Sequence, residues 1–199
     1  MRIILSLLFV SVTWFASAQV NLVQLSNLPF TTTCAGVRGY VDASNNEYAL
    51  IGAGNGLAIV DVTDPTNPNL LFTVPANNSL WREVAVYQNY AYSCTEGGGG
   101  ITIVDLSNLP NSYSTTIYDG DGPIAGQIGA AHTIQVFDEY LYIFGADVGV
   151  GGAIICSLAN PAVPTYVGMY DLEYIHDGYV RNDTLWAAEI YAGQFTVID

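Results

Sequence analysis

Arg38, Arg82 and His176 each stand 23 residues before an aspartate, at Asp61, Asp105 and Asp199. His132 stands 25 residues before Ser157, which takes the aspartate's place in a recurring phrase. Apart from Arg2 and Arg181, no other Arg or His occurs, and Lys is absent. Carboxylates follow in a register of their own: Glu96 lies 9 residues before Asp105, and Asp147 and Glu189 lie 10 before Ser157 and Asp199. The first copy has Gly52 and Ala53 there instead. Imidazoles with carboxylates can hold a divalent metal, so His132, His176, Asp147 and Glu189 are candidate ligands for zinc or calcium. A guanidinium grips a carboxylate or sulfate with two parallel hydrogen bonds and repels a cation, so Arg38 and Arg82 suit an anion. The same groups could equally form a structural ring of ion pairs, because charges taken out of water need partners.

The elements that must position these residues repeat as well. GLAIVDVTDPTNP, GITIVDLSNLP, GAIICSLANPAVP and QFTVID are successive forms of one phrase, spaced 44, 52 and 42 residues apart at the aspartate position. Two apolar-alternating runs joined by a short polar turn precede most copies, such as EVAVY and YAYSCTE around Gln88-Asn89, and a fourth run such as NLLFTV or TYVGMY follows. Short runs rich in Val, Ile, Tyr and Thr, without helical periodicity, predict an all-β chain. Four strands in a 40–50-residue repeat predict a β-propeller of four-stranded antiparallel blades, with about four blades near 38–76, 82–119, 132–172 and 176–199.

In a blade, the basic residue would open the innermost strand and the acid would end the next, antiparallel one. Arg82/Glu96, His132/Asp147 and His176/Glu189 would then ring the mouth of a central channel. Arg38, Arg82, Glu96, His132, Asp147, His176 and Glu189 are the expected ligand-binding residues. LVQLSNLPF at 22–30 resembles IVDLSNLPN at 103–111. Two readings follow: an N-terminal strand closing a four-bladed ring, or a stretch of a larger ring.

GLAIVDVTDPTNP and GGITIVDLSNLP resemble LVIVD repeats, and most of residues 19–199 is similar to the choice-of-anchor B family of bacterial surface proteins. That resemblance implies an exported propeller without a defined general activity. The family's C-terminal anchoring segment has no counterpart here, and the chain is short for the family. The resemblance therefore implies a fragment.

The sequence begins MRIILSLLFVSVTWFASAQV, with one Arg, an apolar run from Ile3 to Phe15 and then Ala16-Ser17-Ala18. This is the pattern of a signal peptide over residues 1–18, cleaved after Ala18. Its apolar run is too short to span a bilayer, and no transmembrane span is expected elsewhere. The expected location is extracellular or the bacterial cell surface. With 18 Asp and Glu against 4 Lys and Arg, the net charge is −14, which excludes a phosphate-binding patch for nucleic acid. A chain 51% hydrophobic and 11% charged has the means to bury a core.

Weaker signals read mainly as structural. Asp119 and Asp121 of a DGDG loop offer oxygens to calcium, but solvated turn residues are the simpler reading. The aspartates of the repeated phrase are expected to accept backbone N–H bonds from the turn that follows. Cys34, Cys94 and Cys156 have no metal-binding spacing and read as small buried hydrophobes, with room for one bridge. Trp81 and Trp186 read as core aromatics. No GxSxG or HExxH motif occurs.

The sequence thus leans towards a non-catalytic binding or adhesion module whose partner is an extracellular protein, a glycan or a small anion. The alternative is a metal-dependent, hydrolase-like enzyme with its site at the channel mouth.

Overall fold

The computed structural model describes residues 22–199. The expected signal peptide at 1–18 lies outside the described residues. Among the described residues, fifteen strands form four antiparallel sheets with one topology, each strand of a sheet pairing with the next along the chain. The first sheet holds β1 (Cys34–Val41), β2 (Glu47–Ala53), β3 (Gly56–Asp61) and β4 (Asn69–Pro75). The second holds β5 (Arg82–Tyr87), β6 (Tyr90–Thr95), β7 (Ile101–Asp105) and β8 (Ser114–Tyr118). The third holds β9 (Thr133–Phe137), β10 (Tyr140–Phe144), β11 (Ala153–Ser157) and β12 (Thr165–Tyr170). The fourth has three strands, β13 (Asp177–Arg181), β14 (Thr184–Glu189) and β15 (Gln194–Ile198). One short 3-10 turn, Gly122–Ile124, is the only helical element among the described residues. The chain is all-β, and its sheets follow one another as β-propeller-like blades.

Consecutive meander pairing needs only short links, and two-residue hairpins supply four of them: Gln88-Asn89, Asp138-Glu139 and Asn182-Asp183 between first and second strands, and Gly54-Asn55 between β2 and β3. Gln88, Asp138, Asn182 and Asp183 have positive φ, as such tight hairpins demand. Arg181 is the last residue of β13.

Burial follows position within the blade. The third strands of the first two blades, with their GLAIV and ITIV runs, are covered on both faces, so they read as continuously apolar instead of alternating. The outer strands β4 and β8 are mostly exposed. Tyr40, Tyr48, Leu50, Leu57 and Ile59 of the first blade pack on Val84, Ala91, Val104 and Leu106 of the second. Tyr92, Cys94, Ile101 and Ile103 of the second pack on Ile134, Leu141, Ile143 and Ile154 of the third. Phe144 and Ala153 then pack on Val180, Leu185 and Ala187 of the fourth. Each large side chain moved from water into such a seam contributes about 1.5–3 kcal/mol.

The innermost strands also touch in order, β1 with β5, β5 with β9 and β9 with β13. Gly36 and Gly52 are required at the first of these contacts. A Cβ on Gly52 would collide with the Arg82 carbonyl, and one on Gly36 with that carbonyl and the Glu83 carboxylate.

The 22–30 segment forms no strand, so the expected edge strand is not part of any blade. Ser26 donates to the Pro65 carbonyl, which holds this segment against the first blade. The outward face of the fourth sheet leaves Tyr179, Phe195 and Val197 exposed. No helix among the described residues is long and apolar enough to cross a membrane.

The repeated aspartate behaves as its sequence context predicts. Asp61 accepts the Thr63 N–H at 2.9 Å, and Asp105 accepts the Ser107 N–H at 2.9 Å. Ser157 takes the same role towards the Ala159 N–H at 3.2 Å. Cys94 and Cys156 are buried and free, whereas Cys34 is free and exposed, contrary to the buried reading. Trp81 is 55% exposed rather than core.

Candidate functional site

Arg82, His132 and His176 share one register position. Arg82 pairs with Thr95 at the start of β5, and the N–H groups of His132 and His176 donate to the Phe144 and Ala188 carbonyls just before β9 and β13. Arg38 does not share it, because it pairs with Leu50 in the middle of β1.

The side chains at the shared position then diverge. Arg82 is 1% exposed and turns into the seam with the first blade. There its Nε donates to the Ala53 carbonyl at 3.0 Å and its Nη2 to the Asn77 carbonyl at 2.7 Å. Burial pulls its pKa below the usual arginine value. It is therefore a strut between blades, withdrawn from the mouth. The two imidazoles instead converge across the third and fourth blades, with ring centroids 3.8 Å apart.

The within-blade ion pairs expected from the sequence are not formed. His132 Nδ1 meets Glu96 Oε1 of the preceding blade at 2.7 Å, and His176 Nδ1 meets Asp177 Oδ2 at 2.6 Å. Asp147 accepts the backbone N–H groups of Gly129 and Ala130 at 2.8 and 2.9 Å, closing a loop. Glu189 is completely buried among donors: Tyr170 hydroxyl at 2.9 Å, Gln194 Nε2 at 2.6 Å and Thr196 hydroxyl at 2.7 Å. Burial opposes its ionisation, but the bonds from Thr196, Gln194 and Tyr170 together hold its pKa below the ordinary glutamate value. Both acids are structural, so neither joins the histidines. Asp121 is likewise committed, accepting the Tyr118 hydroxyl and the Tyr166 N–H, each at 2.7 Å. The carbonyl of Asp119 accepts the Ile128 N–H at 2.9 Å.

The four innermost strands line a cavity of about 590 Å³. Arg38 and Glu83 face it, with no ion pair between them. Gln135 also faces it and hooks the fourth blade to the third, its amide bonding the Val180 carbonyl at 3.0 Å and the Val180 N–H at 2.8 Å. The Glu83 pKa is raised, chiefly by burial and then by the charge of Asp177, against the opposing influence of His132 and Arg38.

Trp81 lies 6.4 Å from His132 and Tyr174 6.5 Å from His176, centroid to centroid. Glu83 and Asp177 are functional candidates that reasoning from the sequence missed. The signal was present, since each directly follows a basic residue of the shared register, in Arg82-Glu83 and His176-Asp177.

Comparison with known families matches the LVIVD repeat at residues 41–75 and 81–119. Those stretches coincide with the first blade from the last residue of β1 onward and with the whole second blade. The chain thus carries two LVIVD repeats, and the third and fourth sheets repeat their topology outside the matched residues. No curated protein matches the chain.

Proposed function

We propose that this LVIVD-repeat chain is an exported binding module of the extracellular space or bacterial cell surface, which takes a small anionic ligand in its axial cavity without catalysis. The observation that carries the proposal is Arg38. Arg38 lines a cavity of about 590 Å³ built from four blades, and among the described residues no carboxylate forms an ion pair with it within 4.0 Å. Pockets of 300–1,000 Å³ with a few convergent polar groups suit small ligands. A guanidinium there offers a planar, bidentate grip to a carboxylate or sulfate. Export is supported by the charged, apolar and small-residue order of the first 18 residues. Similarity to surface proteins of the choice-of-anchor B type agrees with that location.

A thermal-melt screen tests this reading, because a ligand that binds only the folded state raises the melting temperature. Small dicarboxylates and sulfated sugars should raise it for the wild-type protein, neutral sugars should not, and Arg38→Ala should abolish the rise. Equal shifts in wild type and Arg38→Ala would refute the proposal.

The approach of His132 to His176 favours a second reading, a metal-dependent hydrolase-like enzyme. It requires metal-dependent turnover of an ester that His176→Ala abolishes.

A further inference from the structure

We propose that His132, His176 and Asp177 form a binding site for a borderline transition-metal ion of the zinc class, and that this ion clamps the third blade to the fourth. One ligand atom from each of the three residues lies within 4.8 Å of the other two. Metal–nitrogen bonds of 2.0–2.1 Å in a tetrahedral site place ligand atoms roughly 3.3 Å apart. The side chains therefore need to close by about 1.5 Å at most. They are free to do so, since His176 and Asp177 side chains are 33% and 65% exposed.

The surroundings favour a cation. Glu96 holds Nδ1 of His132, which fixes the ring and leaves Nε2 of that imidazole as the ligand. This is the outer-carboxylate arrangement common around histidine-bound metals. Asp177 Oδ2 lies 2.6 Å from His176 Nδ1, and the pair must open by about 0.7 Å to share an ion once the imidazole is neutral. Glu83 adds negative charge that acts on both His132 and Asp177. The objection that two arginines would repel the ion is reduced, because Arg82 is buried in another seam and bonded to carbonyls. Two nitrogens and one oxygen form a donor set for Zn²⁺ or Cu²⁺ rather than for Ca²⁺, which prefers six to eight oxygens.

The site rests on residues distinct from Arg38, so it can stand or fall without the anion-binding reading. Protein stripped with a chelator and dialysed is titrated with Zn²⁺ by calorimetry, and with Cu²⁺ followed by electron paramagnetic resonance. One equivalent of Zn²⁺ should bind, and the Cu²⁺ spectrum of the wild-type protein should show hyperfine coupling to two imidazole nitrogens. His132→Ala and His176→Ala should each weaken Zn²⁺ binding by more than the roughly 10–100-fold that loss of an outer partner costs. Arg38→Ala should leave it intact. The bound ion should also protect the Val180 amide in β13 from hydrogen exchange, as a clamp between blades requires. No stoichiometric ion, a Cu²⁺ spectrum without nitrogen coupling, or undiminished wild-type affinity in both histidine variants would overturn the site. Because the Cu²⁺ spectrum is recorded on wild-type protein, a variant that fails to fold does not protect the proposal.

Discussion

The imidazoles of His132 and His176 lie with their centroids 3.8 Å apart although they belong to different blades, because both open an innermost strand at one register position. The carboxylates that meet them come from elsewhere: Glu96 from just after β6 in the second blade, and Asp177 from the residue next to His176. If Glu96 orients His132 for a metal, Glu96→Gln should weaken Zn²⁺ binding by about 10–100-fold while leaving the fold unchanged. Calorimetry on the variant, with circular dichroism as the control for folding, checks this.

Arg82 and Arg38 should respond oppositely to truncation. Arg82→Ala strands the buried Ala53 carbonyl in the seam, and an unsatisfied buried group costs about 1–3 kcal/mol. Its urea midpoint should fall sharply. Arg82→Lys should recover only part of the loss, since an ammonium cannot reproduce a fork of two fixed donors. Exposed Arg38 makes no such contact, and Arg38→Ala should stay within about 0.5 kcal/mol of wild type.

Glu189 gives the acid limb of stability a definite sign. Its folded pKa lies below the ordinary value, so it stabilises the fold above the unfolded value of about 4.3. That contribution disappears as the pH falls through the folded pKa. Glu189→Gln should be less stable at pH 7, because the amide cannot accept from all three donors. Its stability should also change less between pH 5 and pH 2 than that of wild type. Chemical denaturation across that range measures both effects.

The repeated aspartate makes a separable prediction. Asp105→Ala should lose about 1 kcal/mol through the missing turn bond, whereas Asp105→Ser should retain most of it. Ser157 already performs that role in the third blade. Urea denaturation of the two variants side by side distinguishes them.

The strand pattern, the turn aspartates and the shared position of Arg82, His132 and His176 were legible because two-residue hairpins keep the count between β5 and β6, β9 and β10, and β13 and β14. Arg38 matched the same count by cancellation. Its blade has a longer first hairpin, across Asp42–Asn46, and a shorter second turn, Gly54-Asn55. The carboxylate register misled for a related reason. It runs through the links between second and third strands, which differ in length among the blades. Direction was also beyond a count: one register position sends Arg82 into a seam and two imidazoles towards each other.

The proposed anion site at Arg38 lies beside a carboxylate at Glu83 that opposes it. A calorimetric titration of one small dicarboxylate into wild type, Arg38→Ala and Glu83→Gln tests it most directly. Binding should vanish in the first variant and tighten in the second, as removal of a like charge requires. Unchanged affinity in both would rule out an anion held at Arg38.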